Sequence, residues 1–211
     1  MTHPKRPQYS LVWAVFELVL ICLLLAAVPL VVYLDTSVIG EEMSENSLTE
    51  LLHNVGALIA TVCFFIGARR YADQRAFLAL ATSLFAMISI RELDFLFDAI
   101  VHGFWIYPAL VVLGVGVIVA WRSPGTFVRP MLSYLQGREA TFVYLGFVML
   151  IIFTRLFGTG DLWEGVMKEA YDPRVKAAVQ EGLELMSYVL IAYGAVVSLR
   201  SGFAARFLGG S

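Results

Sequence analysis

Charge is scarce in this sequence. Only 15% of its 211 residues are Asp, Glu, Lys or Arg, while 59% are hydrophobic. An ordinary soluble domain carries about a quarter charged residues, so that class is excluded. A mean hydropathy of +0.78 agrees. Cysteine is nearly missing as well. Cys22 and Cys63 both lie in apolar runs, which leaves no disulfide framework and no thiolate metal motif. The net charge of -2 gives no large field of either sign, and no nucleic-acid partner is expected. What is abundant is apolar sequence in long runs, and the expected class is all-α: a polytopic integral membrane protein whose principal partner is the lipid bilayer.

Six apolar segments have roughly the length needed to cross about 30 Å of hydrocarbon: residues 11–34, 48–67, 76–101, 105–121, 140–158 and 177–199. The first follows a short basic head, Lys5 and Arg6, as a signal peptide would. Its apolar run is longer than a usual signal core and contains Glu17, so a retained span is expected. Residues 1–207 read as one six-span domain. Leu208, Gly209, Gly210 and Ser211 form a tail with the composition of a flexible linker or expression scar.

Orientation follows from Lys and Arg in the short loops. Lys5/Arg6, Arg69/Arg70/Arg75, Arg122/Arg129/Arg138 and Arg200/Arg206 alternate with loops poor in basic residues. Those are 35–47, which holds Glu41, Glu42 and Glu45, the tight turn 102–107, and 159–176. Both termini are therefore expected in the cytoplasm, in a cell membrane of the bacterial inner-membrane kind. Phe127, Met131 and Leu135 recur at four-residue spacing in loop 122–139, as in an interfacial helix, although a surface-packed loop fits equally. Residues 161–176 read as a short helical excursion. The two halves have opposite topology, yet no internal repeat is visible.

The scarce charges are not scattered. The stretch from Arg91 to His102 closes the third apolar segment and carries five ionisable side chains, Arg91, Glu92, Asp94, Asp98 and His102. If the helix were continuous, Arg91, Asp94, Asp98 and His102 would share one stripe. A charge at the centre of a bilayer costs roughly 2.5 kcal/mol or more, so such a stripe must face protein, water or an ion. With the topology above, Glu50 and His53 lie in the first turns of the second span, and Glu181 and Glu184 one to two turns into the sixth. At about 1.5 Å per residue, three spans place their ionisable residues in one layer roughly 15 Å thick beneath the outer face.

That layer offers five carboxylates, Glu50, Asp94, Asp98, Glu181 and Glu184, with two imidazoles, His53 and His102. Glu50 and His53 form E-x-x-H, Glu181 and Glu184 form E-x-x-E, and Tyr188 follows one turn below Glu184. Helical bundles hold iron or manganese with inward-facing sets of this type. Oxygen-rich ligands with a few nitrogens suit one or two divalent ions of iron, manganese or zinc. Expected ligands are Glu50, His53, Asp98, His102, Glu181 and Glu184. Asp94 or Glu184 would act as general base, and Arg91 or Arg155 would hold a phosphate or carboxylate headgroup. The layout is similar to that of membrane-embedded zinc hydrolases of the ceramidase and adiponectin-receptor kind, which place His and Asp on several spans near one face. Those use an H-x-x-x-H pair that this chain lacks. The ligand inventory also resembles dinuclear carboxylate proteins, whose second E-x-x-H is missing here.

Three other readings compete. The acids and arginines would serve only as buried ion pairs fixing helix packing, Arg91 with Glu92 or Asp94, and Arg155 with Glu181 or Glu184. Alternatively, the acids would line a path for a cation or protons. The inner half of the spans offers only Glu17 and scattered Ser and Thr, however, and Glu17 has no partner at its own depth. Bis-histidine haem ligation by His53 and His102 is disfavoured by the surrounding carboxylates. A metal-dependent hydrolase or oxidoreductase acting on a small amphiphile is the reading preferred over a transporter.

Overall fold

The computed structural model describes residues 11–39, 47–99 and 101–203. Lys5, Arg6, Glu41, Glu42, Glu45, Arg206 and residues 208–211 lie outside these. All the regular structure among the described residues is helical: α1 Leu11–Tyr33, α2 Leu48–Arg70, α3 Arg75–Glu92, α4 Asp94–Asp98, α5 Ile106–Trp121, α6 Val128–Leu135, α7 Arg138–Val148, α8 Thr154–Phe157, α9 Gly160–Met167 and α10 Pro173–Ser201. Leu34–Ile39 prolongs α1 as a π-helix, and the π-helical Met149–Phe153 joins α7 to α8 without a break.

Four of the described helical stretches are long and apolar enough to cross a membrane: Leu11–Ser37, Leu48–Arg70, Arg138–Phe157 and Pro173–Ser201. The apolar α5 is shorter. α3 has 18 residues but includes Arg75, Arg91 and Glu92. Large apolar side chains cover the outside, among them Leu18, Leu30, Leu58, Leu110, Val111 and Trp121, all exposed. In water such a surface would be an extensive apolar patch; against lipid it is the expected exterior of a multi-pass membrane protein.

Helix ends follow local chemistry. Ser47 caps α2 by accepting from the Glu50 amide at 3.1 Å. Asp172 caps α10 through the Arg174 amide at 2.9 Å, with Pro173 in the first turn. α10 ends at Gly202, whose φ of +80° is left-handed and cheap only for glycine. The Phe203 amide then bonds back to the Ser198 carbonyl at 2.8 Å, turning the Phe203 ring into the core.

Helices α2, α3, α7 and α10 form a four-helix centre, with α5 laid along α3 and α1 resting on α10. Small residues set the spacing: Gly56, Ala57 and Ala60 of α2 and Gly194 and Ala195 of α10 are all buried. α2 and α10 run parallel. Gly56 meets Tyr188 near their starts, and Gly67 meets Phe203 near their ends. α7 runs antiparallel to α10, since Gly194 meets Val143 and Gly158 meets Gln180. One end of the centre is an aromatic cluster in which Phe64 stacks on Phe85 with centroids 5.2 Å apart. The Tyr134 and Phe203 rings complete that cluster. Tyr134 lies on α6, which confirms a helix over the Phe127/Met131/Leu135 pattern.

Two expectations are corrected. The third apolar segment is not one helix to residue 101: α3 stops at Glu92, Leu93 turns, and α4 is a separate five-residue helix. The continuous stripe from Arg91 to His102 is thereby broken. Glu17 also has partners, accepting from the Tyr193 hydroxyl at 2.6 Å and pairing with Arg138 at 2.8 Å. Both partners come from other helices, which sequence spacing does not reveal.

Candidate metal centre

The parallel packing of α2 and α10 brings E-x-x-H and E-x-x-E to the same end of the bundle. The first turn of α2 is held firmly there. The Asp35 carboxylate is buried and accepts from the amides of Leu48 at 3.1 Å and Thr49 at 2.7 Å, and from the Thr49 hydroxyl. A carboxylate on the free amides of a helix start also complements the helix dipole. Glu50 and His53 are therefore placed by a braced turn.

His53 is 1% exposed. Its Nε2 lies 3.3 Å from the Glu181 carbonyl oxygen, and its Nδ1 lies 3.8 Å from Glu181 Oε2. A neutral imidazole has one N–H. With Nε2–H donating to the carbonyl, Nδ1 presents a lone pair toward the carboxylate. Metal-bound histidines are commonly oriented in this way, the second nitrogen fixed by a backbone carbonyl. Tyr188 holds the ring from another side, with centroids 5.3 Å apart.

Ligand atoms of His53, Glu181 and Glu184 all lie within 4.8 Å of one another. Bonds of about 2.1 Å place two ligand atoms on one ion at most about 4.2 Å apart. The 3.8 Å pair therefore already fits, and the wider group closes on an ion by side-chain adjustments of a few tenths of an ångström. Glu181 and Glu184 are half-buried, which leaves room for that movement. One nitrogen and two carboxylates suit iron, manganese or zinc. Three protein ligands leave a position for water or substrate.

The remaining expected site residues divide. Glu50, Glu92 and Arg91 stand near enough to act electrostatically on Glu181. Arg91 Nη1 is bonded to Glu92 Oε1 at 2.8 Å, so the ion pair expected between neighbours is present. Asp94 begins α4 after the turn at Leu93 and is half-buried. Its charge reaches Arg91. Asp98 and His102 do not belong to the His53 group; they bind each other. Asp98 Oδ2 is 2.7 Å from His102 Nδ1, and Asp98 Oδ1 accepts from the Gly103 amide at 2.8 Å. Those contacts, the Gly103 amide foremost, hold the Asp98 carboxyl below the usual aspartate range. His102 is 97% exposed.

Beside Glu184 lies a cavity of about 280 Å³ between α3 and the α7–α8 rod. Arg91, Arg155, Thr154 and Tyr188 supply its polar groups, and Leu84, Ile88 and Phe147 part of its apolar wall. Leu150 and Ile151 of the π-helical stretch also line it, and π segments inside longer helices recur at functional sites. Arg155 forms no salt bridge among the described residues, so the expected pairing with Glu181 or Glu184 is not seen. Tyr188 is 1% exposed, and its hydroxyl faces the Glu92 carboxylate, with Glu184 also within electrostatic range.

Tyr188 is given no ligand or catalytic role by its sequence context. Its position one turn below Glu184 was the available signal. Asp35 carried no local signal, because its partners Leu48 and Thr49 lie 13 and 14 residues away in sequence. Comparison with known families, curated proteins and solved structures found no match for the chain.

Proposed function

We propose that this protein is a six-span membrane enzyme with a divalent metal ion held by His53, Glu181 and Glu184 beneath the extracytoplasmic face. α3 and α5 complete the six spans, both termini face the cytoplasm, and the membrane is a bacterial inner membrane. The observation that carries the reading is the meeting of one oriented imidazole and two carboxylates from parallel helices in an apolar bundle. Leaving such acids uncompensated there is costly, and an ion compensates both at once. Iron, manganese or zinc in such a site polarises a substrate oxygen or activates water.

The chain's own groups complete the chemistry. Glu50, beside Glu181, adds a fourth ligand or, with Asp94, takes up a proton. Arg91 and Arg155 in the adjoining cavity bind a phosphate or carboxylate headgroup. The apolar wall of that cavity accepts the first part of a lipid-like chain. The substrate is therefore a small anionic amphiphile, and the reaction a hydrolysis in which water cleaves the bond nearest its headgroup. A cation path is the weaker reading. Glu17, the acid available on the inner half of the spans, is already engaged by Arg138 and Tyr193.

Inductively coupled plasma mass spectrometry on detergent-purified protein tests this directly. One or two equivalents of iron, manganese or zinc are expected, and His53→Ala should lose them. Protein from metal-replete cells that carries no metal above background would sink the proposal and leave the acids as packing ion pairs or a proton path.

A further inference from the structure

The opposite end of the bundle carries a groove remote from His53, Glu181 and Glu184. α2 and α5 both lie along α3, and between them runs a groove of about 770 Å³. Its walls are mainly apolar, with Phe65, Val111, Val115 and Val119 among them, and Thr82 and Ser83 add two hydroxyls. Arg69 from the end of α2, Arg75 from the start of α3 and Arg122 from the end of α5 line its mouth. Their convergence is enforced by topology: α2 and α5 each run antiparallel to α3, so these three helix ends meet at one level. The Thr126 hydroxyl and carbonyl, bonded to the amides of Ala76 and Phe77, pin the loop after α5 to the start of α3.

Among the described residues no acidic side chain lines the groove. None of the three arginines forms a salt bridge among the described residues, and Arg75 donates only a long bond of 3.4 Å to the Ala68 carbonyl. From Val111 to Arg122 the groove follows α5 for about 16 Å at 1.5 Å per residue. Half the hydrocarbon thickness of a bilayer is about 15 Å. The groove thus matches one leaflet in length, is mainly apolar along it and is cationic at one end.

We propose that this groove is a binding site for an anionic phospholipid, with an acyl chain along α5 and the phosphate on Arg69, Arg75 and Arg122. Basic pockets between transmembrane helices commonly take such headgroups, and guanidinium groups bind phosphate in bidentate fashion. By the distribution of basic loops the leaflet is the cytoplasmic one. A free phosphate would use the arginines alone and leave the groove empty, whereas the matched apolar length points to a lipid.

Native mass spectrometry of protein released from vesicles of equimolar phosphatidylglycerol and phosphatidylcholine provides the test. One retained phosphatidylglycerol is expected. Each of Arg69→Gln, Arg75→Gln and Arg122→Gln should weaken retention about fivefold. Val115→Trp, which fills the groove and keeps the arginines, should also lower it. Arg70→Gln, adjacent to Arg69 but not in the groove, should retain lipid like the parent and controls for folding. Equal retention of phosphatidylcholine, or retention indifferent to the arginine variants, would overturn the proposal. Displacement by millimolar inorganic phosphate with no effect of Val115→Trp would overturn it in favour of a free-anion site.

Discussion

His53 and Glu181 meet twice. The imidazole Nε2 lies 3.3 Å from the Glu181 backbone carbonyl, while Nδ1 of the same ring lies 3.8 Å from that residue's carboxylate. One residue of α10 thus orients the ring and faces its free lone pair. If an ion sits between them, removing it must destabilise the fold. With free metal at a hundred times its dissociation constant, binding contributes about 2.7 kcal/mol. A chelator should therefore lower the thermal midpoint of the parent protein and leave that of His53→Ala unmoved. A chelator that shifts both equally would place the metal elsewhere.

Gly56 lies one turn after His53, and a Cβ there would stand 2.8 Å from the Tyr188 Cβ. Gly56→Ala must push α2 from α10, at a cost of about 1–3 kcal/mol, and should lose metal because the ligands sit on those two helices. Gly114→Ala on α5 meets nothing within 4 Å. It should be neutral or slightly stabilising, since alanine favours helix by up to about 1 kcal/mol. Denaturant titration and metal content of the two variants give the comparison, and similar outcomes would refute the close α2–α10 contact.

The bond from the Tyr193 hydroxyl to Glu17 joins α10 to α1 at 2.6 Å. Hydrogen bonds between membrane helices average about 0.6 kcal/mol in double-mutant cycles. A cycle of Tyr193→Phe and Glu17→Leu should give a coupling of that order. Zero coupling would mean that α1 is held by apolar contact alone.

Asp98 should show its tie to Gly103 in a pH titration. The Gly103 amide and the His102 ring hold its folded-state pKa below the ordinary aspartate value, so the turn gains stability above that ordinary value. The gain is lost as pH falls through the lower, folded-state value. The Gly103 amide resonance should titrate with a midpoint below that of a free aspartate, about 3.9. An unshifted midpoint would show that the turn closes without the carboxylate.

Much of the fold was legible in the residues themselves. Apolar length marked the four helices long enough to cross a membrane, and the scarcity of charge marked the acids of α2 and α10 as unusual. The break at Leu93 was not legible, because the helical spacing of Arg91, Asp94 and Asp98 continues across it and no proline or glycine announces the turn. Asp98 and His102 look like site residues only if that helix is continuous. Once it breaks, they close a local turn. Glu17 looked unpartnered because Arg138 and Tyr193 are remote in sequence, and no spacing rule connects a residue to another helix.

The sequence alone therefore determined which side chains are too polar for lipid and on which helical face each pair stands, since both follow from composition and a period of 3.6 residues. Only the tertiary structure decided which pairs meet. Glycines 56 and 194 let α10 approach α2 and α7 closely, in parallel with the first and antiparallel to the second. That approach joined His53 to Glu181 and Glu184, and left Asp98 with His102. Close packing between helices is a property of two surfaces at once, and a single helix's periodicity holds only one of them.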